Sequence, residues 1–450
     1  MRQLRIQDTL SGEVVPVESS ERGRIGIYAC GPTVYGRIHV GNARPYVVFS
    51  LLKRFLEHEG YHSSLVINIT DVNDKIYDAA RERGVPSAEL AREMTTAYVE
   101  DTDRLGLGRP DDEPKATGTI DAIIALIEAL VESDHAYERD GDVYFRVVSF
   151  PGYGKLSNRP LEEMQQGEGD DAAELKDSPQ DFALWKARKD GEDTWWESPW
   201  GEGRPGWHIE CSAMAEAVLG IPFEVHGGGS DLVFPHHENE IAQTEAARAK
   251  PLARAWMHNG MVQMGDEKMA KSIGNIRLLH GALEQFGRDA FLMWMVGAHY
   301  RKPVVYSEEA LKEASRAVER VRDALRRVDL DAPGMDEYVE TFFDALADDF
   351  NTPQARAVLF EWVAEANRRI DGGERVGPGR LGEMLHALGL EGLLERDAEA
   401  PEALQRLAAE RDEARAARDF ERADRIRDQL DGAGWEIRDT PEGARLVRRS

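Results

Sequence analysis

Two short apolar runs flanking a long apolar stretch constrain the fold of this 450-residue chain most strongly. Residues 24–30 (RIGIYAC) and residues 64–70 (SLVINIT) have the length and composition of short buried strands. Between them, residues 42–59 carry closely spaced apolar side chains and are followed by Gly60, which predicts a mostly buried helix. A strand, a helix and a second strand at this spacing predict a βαβ unit and a parallel sheet.

The rest of the chain predicts a further α/β region followed by a helical one. We predict strands at 222–227 and 256–263, a helix at 236–249 between them, and a loop within an insertion at 160–180. Helices are also predicted at 85–105, 117–134, 308–328, 336–348, 353–370, 379–390 and 402–430. The C-terminal tail, which contains Trp435, Ile437, Leu446 and Val447, predicts a small β-ribbon.

The charge of the chain argues at first against a nucleic-acid partner, because phosphate groups repel a negative surface. There are 56 basic and 83 acidic residues, so the formal net charge is 56 − 83 = −27. Only 12 of the 56 basic residues are lysines, and this acidic, lysine-poor composition favours adaptation to high salt over an ordinary acidic enzyme. At 1 M salt the Debye length is ~3 Å, so net charge is then a weak guide to partners. Residues 411–450 are locally neutral and fit either a solvated helix or a phosphate contact.

Features of a membrane or secreted protein are missing from the sequence. The longest apolar run, residues 290–298, has nine residues, whereas a spanning helix needs about 20. The first residues have no apolar core of a signal peptide, and two cysteines make no disulfide framework. These features predict a cytoplasmic enzyme without a membrane partner.

Two segments suit phosphate binding. Residues 31–33 (GPT) and 39–42 (HVGN) lie where the first strand runs into the helix, and ligands bind beyond the C-terminal ends of parallel strands. The helix N-terminus offers free N–H groups, and His39 can donate to a phosphate oxygen. In the segment 268–272 (KMAKS), two lysines in a glycine-flanked loop suit a clamp on polyphosphate. Taken alone, these segments fit a structural histidine and a solvated loop as well.

A possible metal set and a glycine triplet complete the motifs. Cys30, Cys211, His236 and Glu240 suit Zn²⁺, with His236 and Glu240 spaced i, i+4 on one helix face. The cysteines are 181 residues apart, so two small buried side chains remain the alternative. Residues 227–231 (GGGSD) predict either a tight turn or an open pocket in which an aspartate holds an amino group.

Together these residues and their neighbours resemble the cysteinyl-tRNA synthetases, a family of class I aminoacyl-tRNA synthetases. The matching runs are YACGPTVYGRIHVGNARPYVVF (28–49), NITDVNDKI (68–76), DFALWK (181–186), GWHIECSAM (206–214), HGGGSDLVFPHHENEIAQ (226–243), KMAKSIGN (268–275), HYRKPVVYSEE (299–309) and DDFNTP (348–353). The resemblance spans nearly the whole chain and implies an α/β Rossmann-type catalytic domain with a parallel sheet, an α-helical bundle and a small C-terminal α+β tail. The implied domains are 1–120 and 201–306 (catalytic, in two halves), 121–200 (connective insertion), 307–400 (helical bundle) and 401–450 (tRNA-binding region).

The resemblance also implies roles for single residues. Residues 39–42 match the HIGH signature with Asn in the last place, and residues 268–272 match the KMSKS signature with Ala third. ATP would be bound by Gly31, His39, Gly41, Asn42, Lys268 and Lys271, with His39, Lys268 and Lys271 catalytic. One zinc ion would be held by Cys30, Cys211, His236 and Glu240. Cysteine would be bound by Thr70, Trp207 and Asp231, with His226 at the base of its pocket.

The implied reaction joins L-cysteine to tRNA(Cys) in two steps. The cysteine carboxylate attacks the α-phosphorus of ATP, bound with Mg²⁺, and a ribose hydroxyl at the tRNA 3′ end then takes the acyl group. Zinc prefers a thiolate to a hydroxyl, so it would select cysteine over serine without an editing domain. The family is typically monomeric. At residues 114–119 (PKATGT) the sequence departs from the Arg-Ala-Thr-Glu-His-like run of the family, which puts the contact made there in doubt.

Two alternatives share parts of this pattern. A cysteine:glucosaminyl-inositol ligase of mycothiol synthesis has the same zinc site and adenylation chemistry but passes cysteine to a sugar amine. The segment 417–445 resembles the anticodon-side domain of the tRNA enzymes and favours a tRNA acceptor. The other alternative, a non-catalytic zinc-bearing RNA-binding paralogue, is disfavoured because His39, Lys268 and Lys271 are all present.

Overall fold

The strand–helix–strand unit predicted near the N-terminus begins a parallel sheet. A computed structural model describes residues 1–19, 23–160, 175–265, 267–268, 277–394, 401–433, 435–440 and 443–448. It separates into two units, residues 1–391 and residues 392–450. The elements of the first part are β1 (Arg5–Gln7), β2 (Val14–Pro16), β3 (Arg24–Ala29), α1 (Val40–His58), β4 (His62–Ile67), α2 (Asp74–Arg83) and α3 (Ser87–Asp103).

An antiparallel sheet and a helix form the insertion that follows. Its elements are α4 (Ile120–Glu132), β5 (Ala136–Arg139), β6 (Asp142–Phe145), β7 (Phe182–Ala187) and β8 (Gly203–Pro205). The strands pair in chain order, and α4 packs Ile123 and Ile127 into a core with Phe145 and Phe182. Most of the predicted loop at 160–180, residues 161–174, lies outside the described part of the chain.

The elements after the insertion return to the parallel sheet. They are α5 (Trp207–Leu219), β9 (Phe223–Gly229), α6 (Glu238–Arg248), β10 (Ala253–Asn259), β11 (Val262–Met264), β12 (Glu267–Lys268), α7 (Leu279–Phe286), α8 (Arg288–Met295) and β13 (Val304–Tyr306). Within the described residues the strand order is β10-β9-β3-β4, and every neighbouring pair is parallel. The predicted α/β class is therefore confirmed.

The glycine triplet 227–229 continues β9 instead of forming a turn. Gly228 lies opposite His258 and Gly229 opposite Asn259 of β10. At Gly227, an added Cβ would lie 2.0 Å from Cζ of Phe49 on α1. The first glycine therefore lets a helix approach the sheet closely, which is a packing role that neither predicted alternative contained.

The divergent segment at 114–119 has a structural role beside β4. Ile69 donates its N–H to Pro114 O (2.9 Å), and Ala116 donates to Ile69 O (3.4 Å). The Asp71 carboxylate accepts from the N–H and the hydroxyl of Thr117, at 3.0 and 2.6 Å. The segment thus extends the sheet edge beyond the end of β4.

Helices follow the α/β part, as predicted. They are α9 (Glu308–Arg327), α10 (Glu337–Ala347), α11 (Thr352–Asp371) and α12 (Leu381–Ala387). Their buried faces carry apolar side chains such as Val321, Phe342 and Trp362. No helix among the described residues has the length and apolar composition to cross a bilayer.

The second unit contains helices and a ribbon. Its elements are α13 (Glu402–Ala416), α14 (Phe420–Gly432), β14 (Trp435–Thr440) and β15 (Gly443–Arg448). The single helix predicted at 402–430 is two helices, because Arg418 takes a left-handed backbone (φ 61°) between them. The two strands pair antiparallel, which confirms the predicted β-ribbon.

Candidate active site

A cavity of about 650 Å³ opens at the C-terminal ends of β3, β9 and β10. Cys30 lies directly after β3, and Asp231 follows β9. The wall opposite is the N-terminus of α1, and Trp207 begins α5 beside it. Residues from Ala29 to Leu278 therefore line one cavity at this edge of the sheet, where parallel α/β folds bind ligands.

His39 is the N-cap of α1 and uses its own ring to cap the helix. Its Nδ1 accepts from the N–H groups of Gly41 (3.1 Å) and Asn42 (3.3 Å), and Asn42 Oδ1 accepts from His39 N–H (3.2 Å). Val40 N–H donates to Arg277 O (2.9 Å). The first amides of the helix are thus already bonded, and they are not the free donors that the sequence predicted. Because Nδ1 accepts, the ring proton is on Nε2, the tautomer that can donate to a phosphate oxygen.

Gly31 is required where β3 turns into the cavity. A Cβ at this position would lie 1.8 Å from Asn68 O, and Gly31 N–H donates to Asn68 Oδ1 (2.9 Å). The backbone therefore follows the neighbouring strand too closely for any other residue. Gly31, Gly41 and Asn42 all line the cavity, as does His39.

The predicted lysine loop lies next to this wall but is described only in part. β12 ends at Lys268 and pairs with β11, which in turn pairs parallel with β13. The side chain of Lys268 and the whole of Lys271 lie outside the described residues.

The four predicted metal ligands meet in the protein interior, and Cys30 of the four also lines the cavity. The donor atoms of Cys30, Cys211, His236 and Glu240 all lie within 4.8 Å of one another, and all four residues are buried. Glu240 Oε1 lies 3.6 Å from Cys30 Sγ and 3.1 Å from His236 Nε2. His236 is in the turn before α6, and Glu240 is in that helix. Two thiols, an imidazole and a carboxylate at these separations could hold a metal ion.

Burial sets the protonation of these ligands. It lowers the pKa of His236 to about 3, so the ring is neutral and offers a lone pair. It raises the pKa of the Cys30 thiol well above its usual value. The thiol would therefore lose its proton only when a cation binds there. A second set, Cys30, His226, His237 and Glu240, shares two members with the first and also meets the distance criterion.

The residues predicted to bind cysteine divide into two groups. Trp207 and Asp231 line the cavity, and the Trp207 ring stacks 4.3 Å from that of His236. Thr70 and His226 are buried, and neither belongs to the cavity lining of the described chain. His226 Nε2 is 2.8 Å from Glu240 Oε2, so this histidine lies behind the metal set.

The sequence analysis missed several buried residues around this site. His208 Nδ1 lies 2.9 Å from His236 Nδ1, and His237 Nδ1 lies 2.7 Å from His258 Nε2. Arg44, on α1, donates to the backbone carbonyls of Met261 and Lys302, which precede β11 and β13. His208 and Arg44 fall inside the runs that carry the resemblance, and their polar character at a buried helix position was the available signal.

Comparison with known proteins shows the family of the chain. A model of the tRNA synthetase class I (C) catalytic domain matches residues 16–316, and a DALR domain model matches residues 341–390. The cysteine–tRNA ligase of Halorhodospira halophila is 46% identical and covers 99% of both chains. That of Geobacillus thermodenitrificans is 43% identical and covers 100% of both.

A solved structure extends the comparison to the fold alone. The Mycobacterium tuberculosis methionyl-tRNA synthetase in complex with methionyl-adenylate superimposes with a TM-score of 0.60 at 15% identity, over 82% of this chain and 88% of that one. The relatives support the predicted tRNA ligase and not the sugar-amine ligase. The chain therefore belongs to the cysteine–tRNA ligases, a family of aminoacyl-tRNA ligases with the class I synthetase fold.

Proposed function

We propose that the chain activates L-cysteine with ATP and transfers the cysteinyl group to the 3′ end of tRNA(Cys). The observation that carries this proposal is one cavity lined by Cys30 and Trp207 at one end and by His39 and Gly41 at the other. Cys30 of the proposed metal set and the N-terminus of α1 thus open into the same space. We also propose that the enzyme is a monomer, as the resemblance to its family implies. A tRNA substrate implies that it acts in the cytoplasm.

We propose zinc as the ion that Cys30, Cys211, His236 and Glu240 hold. Two sulfurs, one nitrogen and one oxygen within 4.8 Å form a donor set typical of Zn²⁺, and hard cations such as Mg²⁺ avoid sulfur. When bound, zinc supplies a soft Lewis acid that favours the thiolate of cysteine over the hydroxyl of serine.

The other residues orient the two substrates. The Asp231 carboxylate faces the cavity and would hold the cysteine ammonium group, and the Trp207 ring closes the side of the pocket. Buried Thr70 and His226 fix the base behind them. His39 Nε2–H would donate to a phosphate oxygen of ATP, which enters with Mg²⁺. Lys268 and Lys271 would neutralise charge on the polyphosphate.

The chemistry then needs no side-chain nucleophile. A carboxylate oxygen of cysteine attacks the α-phosphorus, the bond to the β-phosphate bridging oxygen breaks, and pyrophosphate leaves. A ribose hydroxyl of the terminal adenosine next attacks the cysteinyl carbonyl, and AMP leaves. Positioning and charge stabilisation by His39, Lys268 and Lys271 account for the rate.

The test is cysteine-dependent ATP–pyrophosphate exchange in high salt, run beside charging of tRNA(Cys). Exchange with charging supports the proposal. Exchange without charging points to another acceptor, and failure of both, with the fold intact, overturns it.

A Lys271→Ala variant tests the assigned role of that lysine. We expect it to depress adenylate formation far more than cysteine binding, because its charge meets the leaving pyrophosphate. Lys250→Ala is the matched control, since Lys250 is an exposed lysine between α6 and β10. Equal losses in adenylate formation and cysteine binding would contradict the role.

A further inference from the structure

Arg44 is a buried cation that bonds only to backbone carbonyls in the described part of the chain. The residue is 1% exposed and lies in the second turn of α1. Its Nη1 donates to Met261 O at 3.0 Å. Its Nη2 donates to Lys302 O (2.5 Å), with Tyr300 O and His299 O at 3.2 and 3.3 Å. No ion pair among the described residues includes it, so carbonyl dipoles alone compensate its charge.

The acceptors lie in the segments that lead into two paired strands. Met261 directly precedes β11, and Lys302 lies two residues before β13. The strands pair parallel from Val262 opposite Val304, and Met261 O also accepts from Val304 N–H (3.0 Å). β11 pairs on its other side with β12, in the register Gln263 opposite Lys268. Arg44 therefore holds the base of the small sheet on which the lysine hairpin is built.

The same arginine belongs to the helix that presents His39. Gly41 and Pro45 of α1 line the ATP end of the cavity, and Met261 and Val262 line it from the other side. A Cβ at Gly41 would come within 3.9 Å of Val262 Cβ. The two walls therefore approach each other closely, and the Arg44 guanidinium bonds α1 to Met261 of the other wall.

We propose that Arg44 is a positioning residue for adenylate formation: it fixes the β11–β12 hairpin that carries Lys268 relative to the α1 N-terminus that carries His39. The inference rests on the proposed function, because it concerns the ATP end of that site. A planar guanidinium reaches Met261 O before one strand and Lys302 O before the other with two separate nitrogens. A lysine ammonium is a single point donor on a flexible stem and cannot span both strands in a fixed geometry.

Arg54 provides a matched control on the same helix. It is also buried and also donates to carbonyls, at Gly106 O (3.0 Å) and His386 O (3.0 Å), and it pairs with Glu391 (2.9 Å). Its partners lie away from the cavity. Replacing either arginine by lysine removes a buried guanidinium group from α1. Only Arg44→Lys should loosen the β11–β12 hairpin.

The experiment compares Arg44→Lys and Arg54→Lys in pyrophosphate exchange, cysteine binding and thermal melting, at a temperature where both remain folded. For Arg44→Lys we expect kcat of exchange to fall on the order of 10²-fold, as a misplacement of about 1 Å can cause, with the cysteine Kd unchanged. Arg54→Lys should lower the melting temperature without that loss of kcat. Similar kcat values for the two folded variants would overturn the proposal.

Amide hydrogen exchange separates this proposal from the proposed function. Peptides covering 260–265 and 302–306 should exchange faster in Arg44→Lys than in Arg54→Lys or the parent protein, whether or not the protein shows pyrophosphate exchange. If these peptides are equally protected in all three proteins, Arg44 does not fix the hairpin. If they are loosened but the parent protein shows no pyrophosphate exchange, the tether stands and the proposed function fails.

Discussion

His208 sets which nitrogen of His236 faces the metal set. The two Nδ1 atoms lie 2.9 Å apart, so one ring donates to the other and His236 Nε2 is left towards Glu240, 3.1 Å away. Partners of this kind fix ligand orientation, and their loss typically costs about 10–100-fold in metal affinity. We expect His208→Phe to weaken zinc binding by about this factor, as measured by competition with a chromophoric chelator.

A histidine remote from the site controls for ring replacement. His135 bonds to Ser149 at 2.7 Å in the insertion and stacks on Phe145. The His135→Phe variant therefore makes the same substitution at a histidine that is not next to the metal ligands. Zinc affinity should be unaltered in that variant. If the zinc affinity of His208→Phe is also unaltered, the turn before α6 orients His236 without the contact to His208.

Residue types alone offered the metal set as one of two alternatives, and the resemblance was needed to favour it. Cys30 directly follows β3 and Cys211 lies on α5. Their spacing in the sequence does not predict that they are close in space. The buried side chains that contact the metal ligands could not be found from spacing. His208 contacts His236 and His226 contacts Glu240, and each contact joins elements far apart in sequence. The free amides predicted at the start of α1 were wrong because a side chain, His39, occupies them.

At the scale of elements, the packing of α1 on the sheet depends on Gly227. A methyl group there would lie 2.0 Å from Cζ of Phe49, which is fully buried and cannot rotate away without displacing α1. Overpacking of this kind typically costs about 1–3 kcal/mol. We expect Gly227→Ala to lower the free energy of unfolding by at least this amount in chemical denaturation.

Gly281 offers the opposite outcome for the same substitution. It lies inside α7, and a Cβ there meets nothing within 4 Å. Alanine is favoured over glycine in a helix by up to about 1 kcal/mol, so Gly281→Ala should stabilise the protein. If Gly227→Ala is as well tolerated as Gly281→Ala, the close approach of α1 to β9 does not limit stability.

The bounds of helices with a strong apolar periodicity were predicted to within a few residues, whereas a break inside a predicted helix was not. The predicted helix at 42–59 is Val40–His58, and that at 308–328 is Glu308–Arg327. The division of 402–430 depends on the left-handed backbone of Arg418, a residue type with no preference for that conformation. The strand role of Gly227 to Gly229 was missed because glycine is more often a turn residue, and only contact with Phe49 explains it.

At the scale of the molecule, the order of an α/β part and a helical part followed from the change in periodicity after residue 307. The match at 16–316 ends nine residues after that change, and the match at 341–390 lies wholly within the helical part. The boundary between the two units, after residue 391, lies within the predicted helical domain. The nearest boundary implied by the resemblance falls between residues 400 and 401, and the similar helical composition on both sides gives no sharper signal.

The net charge of −27 gives the last prediction, which concerns salt. Many surface arginines pair with acids, as Arg380 does with Glu340 and Glu383, both at 2.8 Å. Each exposed pair contributes only about 0–1 kcal/mol, and salt weakens it. The 27 excess negative charges repel one another in the folded state, and salt weakens that repulsion over longer distances.

We expect the weakening of repulsion to outweigh the weakening of ion pairs, because the composition favours adaptation to high salt. We expect the melting temperature to rise steadily from about 0.1 M to about 1 M KCl, where the Debye length reaches ~3 Å, and to change less beyond it. Sucrose at matched water activity separates charge screening from the general effect of excluded solutes. A melting temperature that falls with KCl would mean that ion pairs such as Arg380–Glu340 outweigh the repulsion, and that the acidic surface is not an adaptation to salt.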